Sequence, residues 1–187
     1  QTAIEELGYK VVGMRRVEWQ AYMRDDFDTI LDTVAAFDGF RDMPWPLLYR
    51  YLYETVPDAK FILSYRDPDS WAQSCVGNYK SRSYEMFRSI YGFDVFEGNE
   101  DKAKDVYLRH ISEVRAFFSD KPDVFLEKDF TRDHDWTDLC EFLSEPEPER
   151  DFPHANKRPR SLLGRLYHKG YRTLAPRTYK SWVRDKG

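Results

Sequence analysis

Two cysteines in 187 residues, Cys75 and Cys140, exclude a disulfide framework. Both fall on apolar helical faces by pattern, where a buried free thiol is the ordinary outcome. That usage suits a reducing compartment, and the expectation is a cytoplasmic protein. No run of about 18 apolar residues occurs, which excludes a transmembrane helix within these residues. No signal-peptide pattern is present. The chain begins at Gln1 in mid-pattern, so further residues are expected upstream, and with them any targeting segment. Internal repeats are absent. So is any glycine-rich phosphate loop. The four histidines form no set with metal-ligand spacing, and Asp133-His134-Asp135 reads as a solvated loop. No metal is expected.

What the sequence does have is charge and aromatic mass. One third of the residues are charged and 17% are aromatic, which suits a soluble domain with a core built on large rings. A pocket for a flat ligand is the rarer use of such rings. The net charge of −4 is uneven: residues 157–187 carry ten Lys or Arg against a single acid, Asp185. A basic tail on an acidic body can dock on that body, on a membrane surface or on an anionic ligand. Nothing in it matches a nucleic-acid reader.

Short apolar strands alternate with amphipathic helices. Residues 2–7 read as a helix stopped by Gly8, and 9–14 as a short buried strand. Helices follow at 18–23 and 27–37, the second with Ile30, Leu31 and Val34 on one face. Phe40 and Arg41 form a short strand ending at Asp42, closed by Pro44 and Pro46. A helix at 45–55 precedes the clearest strand, 61–65. Asp67 and Pro68 then stand as cap and first residue of a new helix. Further helices are expected at 82–91, at 100–118 with Asn99 as cap, and at 136–143, with a buried strand at 124–127. Basic amphipathic helices are expected at 160–171 and 176–184. The alternation implies an α/β fold with a mainly parallel sheet.

In such sheets ligands bind beyond the C-terminal ends of the strands. Two polar groups fall there. Arg66 ends the strand 61–65 where a helix begins, and a helix start exposes free N–H groups beside the guanidinium. The pair suits a phosphate or carboxylate. Ser74, eight residues on, adds a hydroxyl. A structural ion pair between Arg66 and a nearby acid is the competing reading. Asp42 is either a base or simply a turn former before proline.

The stretch "FRDMPWPLLYRYLYETVPDAKFILSYRDPDSWAQS", residues 40–74, resembles the central block of the sulfotransferase family, in its small, mostly bacterial branch. The resemblance implies a three-layer P-loop-type α/β fold that uses 3′-phosphoadenosine 5′-phosphosulfate (PAPS) as donor. An Arg at a strand end and a Ser eight residues later hold the donor's 3′-phosphate in that family; the matching residues are Arg66 and Ser74. "DFPHANKR", 151–158, is similar to the segment that ends the family's catalytic domain. Asn156, Lys157 and Arg158 are thereby implied as further donor-binding residues. Cytosolic sulfotransferases carry a catalytic His before x-Pro some twenty residues ahead of the phosphate-binding Arg. Asp42-Met43-Pro44 stands 24 residues ahead of Arg66, which implies Asp42 as the base. The family's phosphosulfate loop, a Gly-x-x-Arg-Thr-Gly-Thr segment, is expected before Gln1.

The resemblance divides the chain into a sulfotransferase-like domain at 1–158 and a basic helical extension at 159–187. The implied reaction moves a sulfuryl group to a hydroxyl or amine of a small molecule, glycan or lipid. The alternatives are a P-loop small-molecule or nucleotide kinase and a non-catalytic donor-binding or interaction module. The aromatics of 77–99 (Tyr79, Tyr84, Phe87, Tyr91, Phe93 and Phe96) either line an acceptor pocket or pack as core.

Overall fold

Local cap chemistry sets several element boundaries. The computed structural model describes residues 2–132 and 135–153. Helix α1 (Thr2–Glu6) is followed by Gly8 at φ +95°, a conformation that costs glycine nothing. Strand β1 (Val11–Val12) leads into α2 (Arg16–Tyr22) and α3 (Phe27–Ala36). Asp26 caps α3 by accepting the Thr29 N–H at 3.2 Å. Strand β2 (Gly39–Phe40), a 3-10 turn (Trp45–Leu47) and α4 (Tyr49–Thr55) come next. The expected helix at 45–55 therefore opens as a tighter turn, with Pro44 at its cap and Pro46 within its first residues.

Strand β3 (Phe61–Ser64) runs into α5 (Pro68–Tyr79), whose cap Asp67 accepts the Ser70 N–H at 2.9 Å. After α6 (Glu85–Tyr91), α7 (Glu100–Phe118) is the longest of the described helices, with the expected bounds. Asn99 does not cap it by its side chain; Nδ2 instead donates to the Val95 carbonyl at 3.0 Å. A 3-10 turn (Pro122–Val124), strand β4 (Phe125–Lys128) and α8 (Thr137–Leu143) complete the described elements.

Both strand pairs are parallel, in keeping with the α/β class. Among the described residues they form two separate ladders, β1–β2 and β3–β4. The strands are shorter than the apolar runs suggested. Only Val11 and Val12 of the expected 9–14 pair, opposite Gly39 and Phe40. In the second ladder Phe61 faces Phe125 and Ser64 faces Lys128, so the C-terminal ends of β3 and β4 finish level.

Three apolar clusters hold Gln1–Phe152 as one compact body. Val12, Ala21, Ile30, Trp45, Leu48 and Leu52 join β1 to α2, α3 and α4. Met86, Phe87, Phe93, Phe96 and Ala103 join α6 to α7 and to Trp71 of α5. Trp136, Leu139 and Cys140 of α8 pack with Ile4 and Leu7 of α1 and with Ile62 and Leu126 of the β3–β4 ladder. No described helix is long and apolar enough to cross a membrane. The basic helices expected in 159–187, and the 158/159 boundary, lie outside the described residues.

Phe118 closes the base of the β3–β4 ladder. It stacks on Phe125 with centroids 4.7 Å apart and meets Phe61 at 4.9 Å. Only 2% of its surface is exposed. Phe118→Ala is expected to cost about 3–5 kcal/mol of unfolding free energy, read from urea denaturation.

Candidate functional site

Beyond the level ends of β3 and β4 the ladder has one last hydrogen bond, from the Tyr65 N–H to the Lys128 carbonyl at 3.3 Å. Arg66 is the first residue past it. The Tyr107 hydroxyl, reaching over from α7, accepts the Arg66 N–H at 2.9 Å and donates to the Arg66 carbonyl at 3.1 Å. The guanidinium then bends onto the first turns of α5, where Nη2 donates to the Ser70 carbonyl at 2.8 Å. That carbonyl is the helical acceptor for the N–H of Ser74, one turn further on. The Arg66 side chain is thereby tied to the turn of α5 that leads to Ser74.

The surroundings of Arg66 bear on its two readings. Among the described residues no carboxylate stands within ion-pair distance of it, and its Nε is buried without a partner. A buried unpaired donor on a charged group is costly, and an anion is the group that would satisfy it. Asp67, the nearest acid in sequence, is engaged as a helix cap. The Ser70 N–H and hydroxyl hold its carboxyl below the usual range, with smaller contributions from the charges of Arg132 and Arg66. Burial pushes the Cys75 thiol, next to Ser74, up to about 11, partly offset by the Arg66 charge.

Asp42 stands at the end of the other ladder. The Arg41 N–H donates to the Val12 carbonyl at 3.1 Å, and Asp42 follows at φ +60°, a left-handed conformation that Asp tolerates. Its carbonyl accepts the Trp45 N–H at 3.0 Å, so it does form a turn. Its Oδ2 is ion-paired with Arg41 Nη1, and both side chains are about half exposed. Gly13 leaves room for this pair. A Cβ there would lie 3.3 Å from Arg41 Nη2 and 3.5 Å from Asp42 Oδ2. No hydrogen bond or ion pair joins Asp42 to Arg66 among the described residues. Asn156, Lys157 and Arg158 lie outside the described residues.

Other expectations change. The aromatics of 77–99 are core: Phe87, Phe93 and Phe96 are buried, and Tyr79, Tyr84 and Tyr91 pack against them. A cleft of about 300 Å³ is lined by Trp19, Tyr22, Leu47, Ile90, Val106 and His110, none of them one of these rings. Burial holds the His110 imidazole below its usual range. Asp133 and His134 lie outside the described residues, while Asp135 is an exposed loop acid, in keeping with the expectation, and it also carries an ion pair. With Asp138 it grips Lys128, whose Nζ lies 3.0 Å and 2.6 Å from their oxygens. Burial opposes the charge of Lys128, and the two carboxylates overcome it, holding the ammonium above the ordinary lysine range. A lysine closing an apolar strand was the only signal of this cluster. Tyr107 gave none, because its register on the apolar stripe of α7 reads simply as core.

The chain was compared with known proteins. A family model described as a sulfotransferase domain matches residues 1–91 and 75–161. Ava biosynthesis cluster protein M of Aspergillus versicolor is 29% identical over 154 residues, which cover 69% of this chain and 56% of that protein. The chain thus spans little more than half the length of this curated relative.

The environment of Cys75 generates a pH-dependent expectation. A thiol raised to about 11 is almost wholly protonated at pH 8, where only the thiolate reacts. Iodoacetamide at pH 8 should label Cys75 in the folded protein at least about tenfold more slowly than in urea, read by peptide mass spectrometry. Equal rates would contradict the burial.

Proposed function

The chain belongs to the sulfotransferase-domain family, and from that membership we propose that it serves transfer of a sulfuryl group from PAPS to a hydroxyl or amine. The observation that carries the donor assignment is Arg66. Its guanidinium sits past a parallel strand end, bonded to the turn that leads to Ser74, with a buried N–H that has no partner among the described residues. That arrangement suits the 3′-phosphate of the donor. The phosphate would take the free guanidinium donors and the Ser74 hydroxyl, at the side of a helix whose N-terminal end is electropositive.

The donor brings a sulfuryl group already activated as an anhydride with phosphate. Arg66 and Ser74 hold and orient it from a distance, so their contribution is to binding and alignment. As the acceptor oxygen or nitrogen bonds to sulfur, the bond from sulfur to the bridging phosphate oxygen breaks, and 3′-phosphoadenosine 5′-phosphate leaves with that electron pair. Asp42 receives the proton that the acceptor loses. Its Oδ2 is taken by Arg41, and Oδ1 has no hydrogen bond among the described residues. The acceptor class is a small molecule, glycan or lipid presenting that hydroxyl or amine.

Two variants separate these roles. Arg66→Ala should weaken binding of 3′-phosphoadenosine 5′-phosphate (PAP) by roughly ten- to a hundredfold, measured by calorimetry on the full-length protein. Asp42→Asn should keep PAP affinity and lower turnover by about a hundredfold, measured with sulfur-35 PAPS and a panel of phenols, alcohols and amines. Undiminished PAP binding by Arg66→Ala would remove the donor assignment. Undiminished turnover by Asp42→Asn would remove the base.

A further inference from the structure

The first residue past the β3–β4 ladder, Arg66, has a backbone problem. Past the Tyr65–Lys128 hydrogen bond the ladder offers Arg66 no partner for its own N–H or carbonyl. Half-buried peptide groups need partners, and the direction of an arginine side chain follows from the orientation of its peptide. One hydroxyl, that of Tyr107, satisfies both groups, at 2.9 Å and 3.1 Å. It lies 41 residues away in sequence, so no local turn provides this contact.

Tyr107 is itself fixed. Its ring lies flat on the indole of Trp71, centroids 4.4 Å apart and planes 10° from parallel. Trp71 belongs to the same stretch as Arg66 and Ser74, and its far edge packs on Phe96 at 6.2 Å. One turn before Tyr107, Lys104 reaches Asp69 of α5 at 2.9 Å, a second tie between the two helices. The tryptophan between Asp67-Pro68 and Ser74 thus faces α7.

Resting on the assignment of Arg66 to the 3′-phosphate, we propose that Tyr107 is a positioning residue for the donor. Its hydroxyl clamps the Arg66 peptide, and Trp71 sets Tyr107 by stacking. The clamp aims the guanidinium at the anion without touching it. Its loss therefore affects recognition of the 3′-phosphate and leaves contacts to the rest of the nucleotide alone. A purely structural role would weaken every nucleotide equally.

The test compares two ligands on the full-length protein: PAP, and adenosine 5′-monophosphate (AMP), which lacks the 3′-phosphate. Tyr107→Phe keeps the stack and removes both hydrogen bonds. It should lower PAP affinity by about tenfold and leave AMP affinity unchanged, measured by calorimetry. Trp71→Leu keeps the hydroxyl and removes the stack. It should shrink the preference for PAP in the same direction, and it decides the question if Tyr107→Phe does not fold. Equal losses for both ligands, or an unchanged preference, would overturn the clamp. Arg66→Ala runs alongside. If it abolishes the preference while the other variants keep it, only the clamp fails. If it too leaves the preference intact, the assignment of Arg66 fails.

Discussion

The level parallel pairing of β3 and β4 is the constraint on which the described site depends. Phe61 opposite Phe125 and Ser64 opposite Lys128 set where both strands stop. Phe118 seals the other end of the ladder by stacking on Phe125. With the start of the register set by ring packing, the strand ends cannot slip without turning each side chain to the opposite face. Arg66 and the loop bearing Asp129 and Arg132 therefore leave the ladder side by side.

Helix α7 does two jobs along its length. Its last turn supplies Phe118 to the base of the ladder, and its second turn supplies Tyr107 to the rim. The same helix also carries Arg115, which grips Glu127 of β4. Packing and site geometry are thus read from one rigid element. The cations at the rim are not equivalent. Lys128 is occupied by Asp135 and Asp138, and Arg132 is drawn toward Asp129 at 3.5 Å. Among the described residues Arg66 has no such acid.

Much of the fold was legible because local chemistry and packing agree. Helix 100–118 has a continuous apolar stripe, and α5 has Asp67 and Pro68 at its start, so both emerged with little change. The strand at 61–65 was clear from β-branched and aromatic residues in a short run. Strand extent was less legible, since an apolar run marks burial while pairing depends on a neighbour far away in sequence. The rings of 77–99 show a similar limit. Composition cannot tell a pocket from a core; Phe96, 1% exposed, and Phe87, 3% exposed, settle it by burial. At the site, Arg66 and Ser74 were marked by spacing and by the family's pattern. The Tyr107 contact and the Lys128 grip were not marked, because both join elements remote in the chain. Asp42 was legible as a position, while its pairing with Arg41 emerged only in three dimensions.

Gly13 has a consequence on another timescale. Every amino acid one base change away from a glycine codon carries a Cβ. At position 13 that atom would lie 3.3 Å from the guanidinium of Arg41, which must give slightly, and 3.5 Å from the carboxylate of Asp42, an ordinary contact. Drift at this codon is therefore felt at the other strand end, although residue 13 itself brings no functional group. A side chain at position 13 is thus accommodated by a small shift of the half-exposed Arg41 guanidinium, so the two strand ends vary together rather than singly.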